Sequence, residues 1–301
     1  MSMRVTQRAV AMDSLNGLYS NLSKVNDLQQ QLTSGKTISR PSDSPTGTNT
    51  SMITRQGLAG NAQQARNISD GQTFLDSTDS TLQRMLAQVQ RVRNLTVQAL
   101  NTGSLDAASQ ADIATEVSGI RQGLLTQANQ VVQGRPLFGG VTSGTQAYDT
   151  TSGAYLGVGG AGGIPVQPIT RRVSDVESIR VDITGPEAFG PPGKDLFSVV
   201  SSIAGHMGDP TALAKDLSDL DTALNGMTTA AADVGTRSAR MEAAGTANQT
   251  QQLTLQAQLS NTEDIDIAKT IMNLQVQQNG YQAALSATAK AIQPTLVDFL
   301  R

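Results

Sequence analysis

Three glycines, three acids and one histidine are the residues whose types and spacing could support chemistry in this 301-residue chain. Gly157, Gly159 and Gly162 match the G-x-G-x-x-G spacing that seats a dinucleotide's pyrophosphate on a helix N-terminus. That fingerprint needs a helix opening at its end, and here the glycines run into Gly163, Ile164, Pro165 and Pro168, which cannot start one. The stretch reads as a flexible β-loop. Glu263, Asp264 and Asp266 could form a metal cluster or an acid pair, but with Ser260 they read as an S-x-x-E capping box. The three carboxylates then lie in the first turn of a fresh helix starting near residue 262, where they favour its dipole. His206 stands alone in the loop GHMGDP and reads as a solvated side chain rather than a base. With no cysteine in the chain, disulfides, thiolate metal sites and a cysteine nucleophile are excluded. No catalytic residue, cofactor site or metal site is assigned.

Composition points to thin apolar seams. A length of 301 residues suggests about two domains. With 38% apolar and 3% aromatic residues, however, the chain cannot fill two ordinary cores. Only 16% of residues are charged against about 25% in an average domain, which favours long helices with amide-rich surfaces. A net charge of -3 without a basic cluster argues against nucleic acid as a partner. No apolar run approaches the roughly 18 residues of a membrane span, so no membrane insertion is expected. The N-terminal stretch does not read as a secretory signal peptide, so export would need another route.

Glycine divides the chain. Fourteen of its 28 glycines fall between Gly139 and Gly208, together with several prolines, which reads as a small β-rich insertion with strands near Ile164 to Val166 and Ser178 to Ile183. The flanks carry apolar residues at alternating three and four spacing. One seam runs through Ala11, Leu15, Leu18, Leu22, Val25, Gln29 and Leu32, and a second from Leu75 through Leu82, Met85, Val89 and Val92 to Ala99. Others run from Ile113 to Val131 and from Leu213 to Met241, and the last holds Ile267, Ile271, Leu274, Gln278, Tyr281, Leu285, Thr288, Ile292 and Phe299. These seams predict a mainly α fold: an elongated coiled-coil helical bundle of N- and C-terminal segments with a small β-rich insertion in the middle. The expected parts are 1–45 with 260–301 as a terminal coiled coil, 46–138 with 209–259 as a helical core, and 139–208 as the insertion. A hinge is expected near residue 45, within RPSDSPTGT, and a tight helix-helix turn at Asn101 to Ser104. No charge occurs from Gly245 to Thr262 or from Thr270 to Ala289, which suits surfaces that meet copies of themselves, since a charge brought beside its own copy repels.

Several stretches carry a resemblance. LQQQLTSGKTISRPSDSPTG (Leu28 to Gly47), QARNISDGQTFL (Gln64 to Leu75), VQRVRNLTVQALN (Val89 to Asn101) and SNTEDIDIA (Ser260 to Ala268) resemble the flagellin superfamily of bacterial axial proteins. ANQVVQGRPLFGG (Ala128 to Gly140) and YQAALSATAKAIQPTLVDFL (Tyr281 to Leu300) are similar to its hook-filament junction family, the FlgL or hook-associated protein 3 type. The resemblance implies a structural, non-enzymatic protein exported by the flagellar type III system and transiently cytoplasmic. Its implied partners are the other hook-associated protein on the hook side, flagellin on the filament side, copies of itself in a ring, and a cytoplasmic export chaperone. The assembly interface is expected at Leu15, Leu18, Leu22, Val25, Leu32, Ile267, Ile271, Leu274, Tyr281, Leu285, Ile292, Leu296, Phe299 and Leu300. Alternatives are a short filament flagellin and a coiled-coil binding or signalling module.

Overall fold

The computed structural model describes residues 7–101, 106–142, 144–158 and 167–292. Its helices are α1 (Gln7–Ser34), α2 (Pro45–Asn101), α3 (Ala107–Ala128), α4 (Gly185–Phe189), α5 (Leu196–Gly205), α6 (Pro210–Glu263) and α7 (Ile267–Ile292). Two antiparallel pairs of short strands complete it: β1 (Val131–Val132) with β2 (Arg135–Pro136), and β3 (Thr170–Arg172) with β4 (Ser178–Arg180). The mainly α architecture follows the seams. Of the elements expected from sequence, the run Ile164 to Val166 and residues 102–104 of the turn lie outside the described residues.

The helix ends follow from local chemistry. Gly35 stops α1 by taking a left-handed φ of 70° while its N–H bonds Gln31 O at 2.8 Å. Across the expected hinge, Asp43 Oδ2 accepts from the backbone N–H groups of Ser39 and Arg40, and Ser44 Oγ accepts from Gly47 N at 3.1 Å. Helix α2 then opens at Pro45, whose missing N–H costs nothing in a first turn. Asp106, Asp195 and Asp209 cap α3, α5 and α6 in the same way.

The chain divides into two compact units, residues 61–251 and residues 1–60 with 252–301. In the first, one line on α2 repeats every seven residues through Asn61, Ile68, Leu75, Leu82, Val89 and Thr96, all buried. Leu213, Leu220, Met227, Val234, Met241 and Asn248 form a matching buried line on α6. At one end the lines exchange amides: Asn61 Nδ2 donates to Asn248 O and Asn248 Nδ2 to Asn61 O, each at 3.1 Å. Gln72 Nε2 bonds Ser238 Oγ at 2.8 Å and Arg93 pairs with Asp221 at 2.6 Å, which fixes the two helices as antiparallel neighbours.

Two sequence expectations change here. Helix α3 ends at Ala128, so Val131 leaves its seam and joins β1, because Asn129 turns to clamp the following chain. Its Oδ1 accepts from Ala147 N and Tyr148 N, and its Nδ2 donates to Tyr148 O at 2.8 Å, as a neighbouring strand would. The glycine-rich insertion also holds helices: α5 runs for ten residues there, since LFSVVSSIAG is a short apolar run whose strand or helix state periodicity cannot decide, and the Asp195 cap selects helix. The scarce aromatics gather in one place. Phe138, Tyr148, Tyr155, Phe189 and Phe197, five of the nine Phe and Tyr residues, stack with centroids 4.7 to 6.0 Å apart in one small core. Burial pushes the Tyr148 hydroxyl far up and that of Tyr155 to about 12.

Candidate assembly interface

Within the unit of residues 1–60 and 252–301, α1 and α7 form an antiparallel pair. The inward side of α1 carries Ser14, Leu18, Asn21, Val25, Leu28 and Leu32, and that of α7 carries Thr270, Leu274, Gln277, Tyr281, Ala284 and Thr288. Both sets alternate three and four residues, so each is a coiled-coil seam. It is a poor one. Val25 and Thr270 alone in these sets are buried, the rest are half-buried, and Gln277 Nε2 must bond Asn21 Oδ1 at 3.1 Å across it.

The residues expected from sequence as one interface separate into two lines. Leu18, Val25, Leu32, Leu274 and Tyr281 face the inward seam. Leu15, Leu22, Ile271 and Leu285 are one heptad position away and exposed, and Ile267 is exposed in the first turn of α7. The side chain of Ile292 and all of Leu296, Phe299 and Leu300 lie outside the described residues. Met12 and Tyr19 complete the outer line of α1, giving Met12, Leu15, Tyr19 and Leu22 at three-four-three spacing with exposures of 55, 44, 70 and 39%. Sequence reasoning missed both because it followed one seam; a count that allowed two apolar faces on α1 would have found them.

The root of the pair is stitched by backbone and charge. Thr37 N bonds Glu263 O at 2.6 Å and Ile265 N bonds Gly35 O at 3.1 Å, so the chain after α1 lies antiparallel to the break between α6 and α7. The expected capping box is not formed. Helix α6 continues to Glu263, placing Ser260 and Glu263 in its last turn, and Asp266 caps α7 by accepting from Lys269 N at 3.1 Å. The Glu263 carboxylate turns instead to Arg55, at 3.0 and 2.7 Å, and to Lys36 at 2.7 Å. These cations hold an otherwise buried carboxyl at about 2, well below its ordinary range, with the Arg55 bonds as the largest cause.

The other candidates fare as follows. Gly157 packs against the Tyr155 hydroxyl, while Gly159 and Gly162 lie outside the described residues. His206 is not a free loop residue: it closes α5, and its Nδ1 lies 2.6 Å from Asp216 Oδ2. Among the described residues no group of three His, Cys, Asp or Glu could hold a metal ion, and no helix is long and apolar enough to cross a membrane.

Two family profiles match the chain, that of the bacterial flagellin N-terminal helical region over residues 5–143 and that of the C-terminal helical region over residues 217–300. The flagellar hook-associated protein 3 of Salmonella typhimurium is 23% identical, over 94% of this chain and 95% of that protein. A flagellin of Bacillus subtilis is 28% identical over 97% of each. Among solved structures, the FlgL of Bacillus cereus superposes with a TM-score of 0.60 at 25% identity, covering 69% of this chain and 99% of that one.

Proposed function

Because the chain belongs to the flagellin superfamily, in its hook-associated FlgL branch, we propose that it is a structural subunit of the bacterial flagellum that joins the hook to the flagellin filament. The observation that carries the reading is the terminal pair. Its inner seam is half polar, while Met12, Leu15, Tyr19 and Leu22 on α1 and Ile271 and Leu285 on α7 face outward, left exposed among the described residues. Apolar lines of that kind gain free energy when another helix covers them, and a surface without charge from Thr270 to Ala289 lets copies of the chain approach without repulsion.

In this reading segments 1–45 and 260–301 assemble, 46–138 with 209–259 support them, and 139–208 is an insertion. The chain serves structure and not catalysis. It leaves the cytoplasm through the flagellar type III route, escorted by an export chaperone, and takes its place outside the cell. There it meets the other hook-associated protein on one side, flagellin on the other, and copies of itself around a ring. Deletion of its gene tests the role: hooks without filaments, with flagellin shed into the medium, support it, and normal filaments overturn it.

A second reading, a filament flagellin, has its support in the likeness to the B. subtilis flagellin along nearly the whole chain. The stretch Ala128 to Gly140, similar to the junction family, favours the first. Seeded growth into long filaments by the purified chain would favour the second.

A further inference from the structure

The ion cluster at the root of the terminal pair has no part in the apolar contacts on which assembly rests. Glu263 ends a charge-free run from Gly245 to Thr262, and its carboxylate is the point where three chain segments meet. Lys36 belongs to the loop between α1 and α2, Arg55 to α2, and Glu263 to the last turn of α6. Lys36 Nζ and Arg55 Nη2 each lie 2.7 Å from the same oxygen, Oε2. Arg40 lines a small cavity beside Glu263. Of the acids that follow Glu263, Asp264 offers its backbone O to Thr37 Oγ1, and Asp266 is occupied in capping α7. One buried anion therefore holds cations that would otherwise repel one another at close range.

We propose that Glu263 is an ionic latch that pins the loop of residues 35–44 to the break between α6 and α7, and so sets the pose of the α1/α7 pair on the adjoining ends of α2 and α6. Its other ties to the break are the bonds of Thr37 N to Glu263 O, Thr37 Oγ1 to Asp264 O and Ile265 N to Gly35 O, all at its first three residues, while Asp43 bonds Ser39 and Arg40 within the loop itself. Removing the anion turns the attraction of Lys36 and Arg55 into repulsion and frees the loop, while the seven-residue lines of the other unit are untouched. The significance of the latch for assembly rests on the reading above, but its existence is read on the free chain, so the two can fail separately.

Trypsin provides the readout, because Lys36 is a cleavage site within the latched loop, whereas Arg40 precedes Pro41 and is not cut. In the full-length chain at neutral pH, Glu263→Gln is expected to speed cutting after Lys36 tenfold or more, with cutting after Arg91 and Arg93 within twofold of the parent. Arg55→Gln, which removes the bidentate partner from the other side, is expected to expose the same site. Loop cutting within twofold of the parent in both variants would overturn the latch. So would cutting that accelerates equally at Arg91 and Arg93, since it would make Glu263 a general prop of the fold.

Discussion

Replacing Leu15 and Leu22 together by Gln separates the outer line of α1 from its inner seam. Both leucines are exposed, at 44 and 39%, and Gln is nearly as good a helix former, so the free chain should lose no more than about 0.5 kcal/mol per site. Covering what remains exposed of each side chain is worth about 40% of the roughly 2 kcal/mol of full leucine burial, which gives about 1.6 kcal/mol for the pair. That corresponds to a loss of about 15-fold in affinity for the assembled site. The assay is incorporation onto isolated hooks across a concentration series, with hydrogen exchange on α1 in the free chain as the companion. Val25→Gln is the contrast: Val25 is 8% exposed in the inner seam, and an amide there should cost about 2 kcal/mol in the free chain. The reasoning is refuted if the double variant incorporates within threefold of the parent, or if its α1 amides exchange as fast as those of Val25→Gln.

Acid should loosen the unit holding Glu263. Its carboxyl is lowered from 4.5 to about 2 in the folded chain, so its contribution is complete above pH 4.5 and is lost as pH falls toward 2. Because Lys36 and Arg55 are half exposed, solvent screening leaves about 1–2 kcal/mol of it, measurable as a drop in protection of residues 35–44 and 263–266 across that window. In the other unit, Asn248→Leu should cost about 1–2 kcal/mol in urea melts by leaving Asn61 O without its amide partner. Asn61→Leu with Asn248→Leu should recover to within about 0.5 kcal/mol by extending the apolar lines, and additive losses would show that the exchange does not couple them. Asn129→Ala removes three bonds to the chain at Ala147 and Tyr148, with an expected cost of about 2–3 kcal/mol and a weaker near-ultraviolet signal from the aromatic core.

The long helices were legible because a seven-residue period is written in residue types: Leu75, Leu82 and Val89 announce the buried line of α2 without any tertiary knowledge. The terminal helices were legible only in part. Leu15 and Leu18 obey the same spacing rule, and which of them turns inward depends on the partner helix, whose polar Gln277 meets Asn21 rather than a leucine. Glu263 was misread for a related reason. An S-x-x-E pattern signals a cap when nothing competes, but here Arg55 and Lys36, 208 and 227 positions away, claim the carboxylate, and Asp266 takes over the capping. The clamp by Asn129 and the pairing of the aromatics across the insertion rest on contacts distant in sequence, so neither composition nor period could reveal them.

The most direct test of the central claim is immunogold electron microscopy of this chain on intact flagella. A structural subunit of the junction is expected as one short band where hook meets filament. Label along the whole filament, or none on the flagellum, would contradict the account.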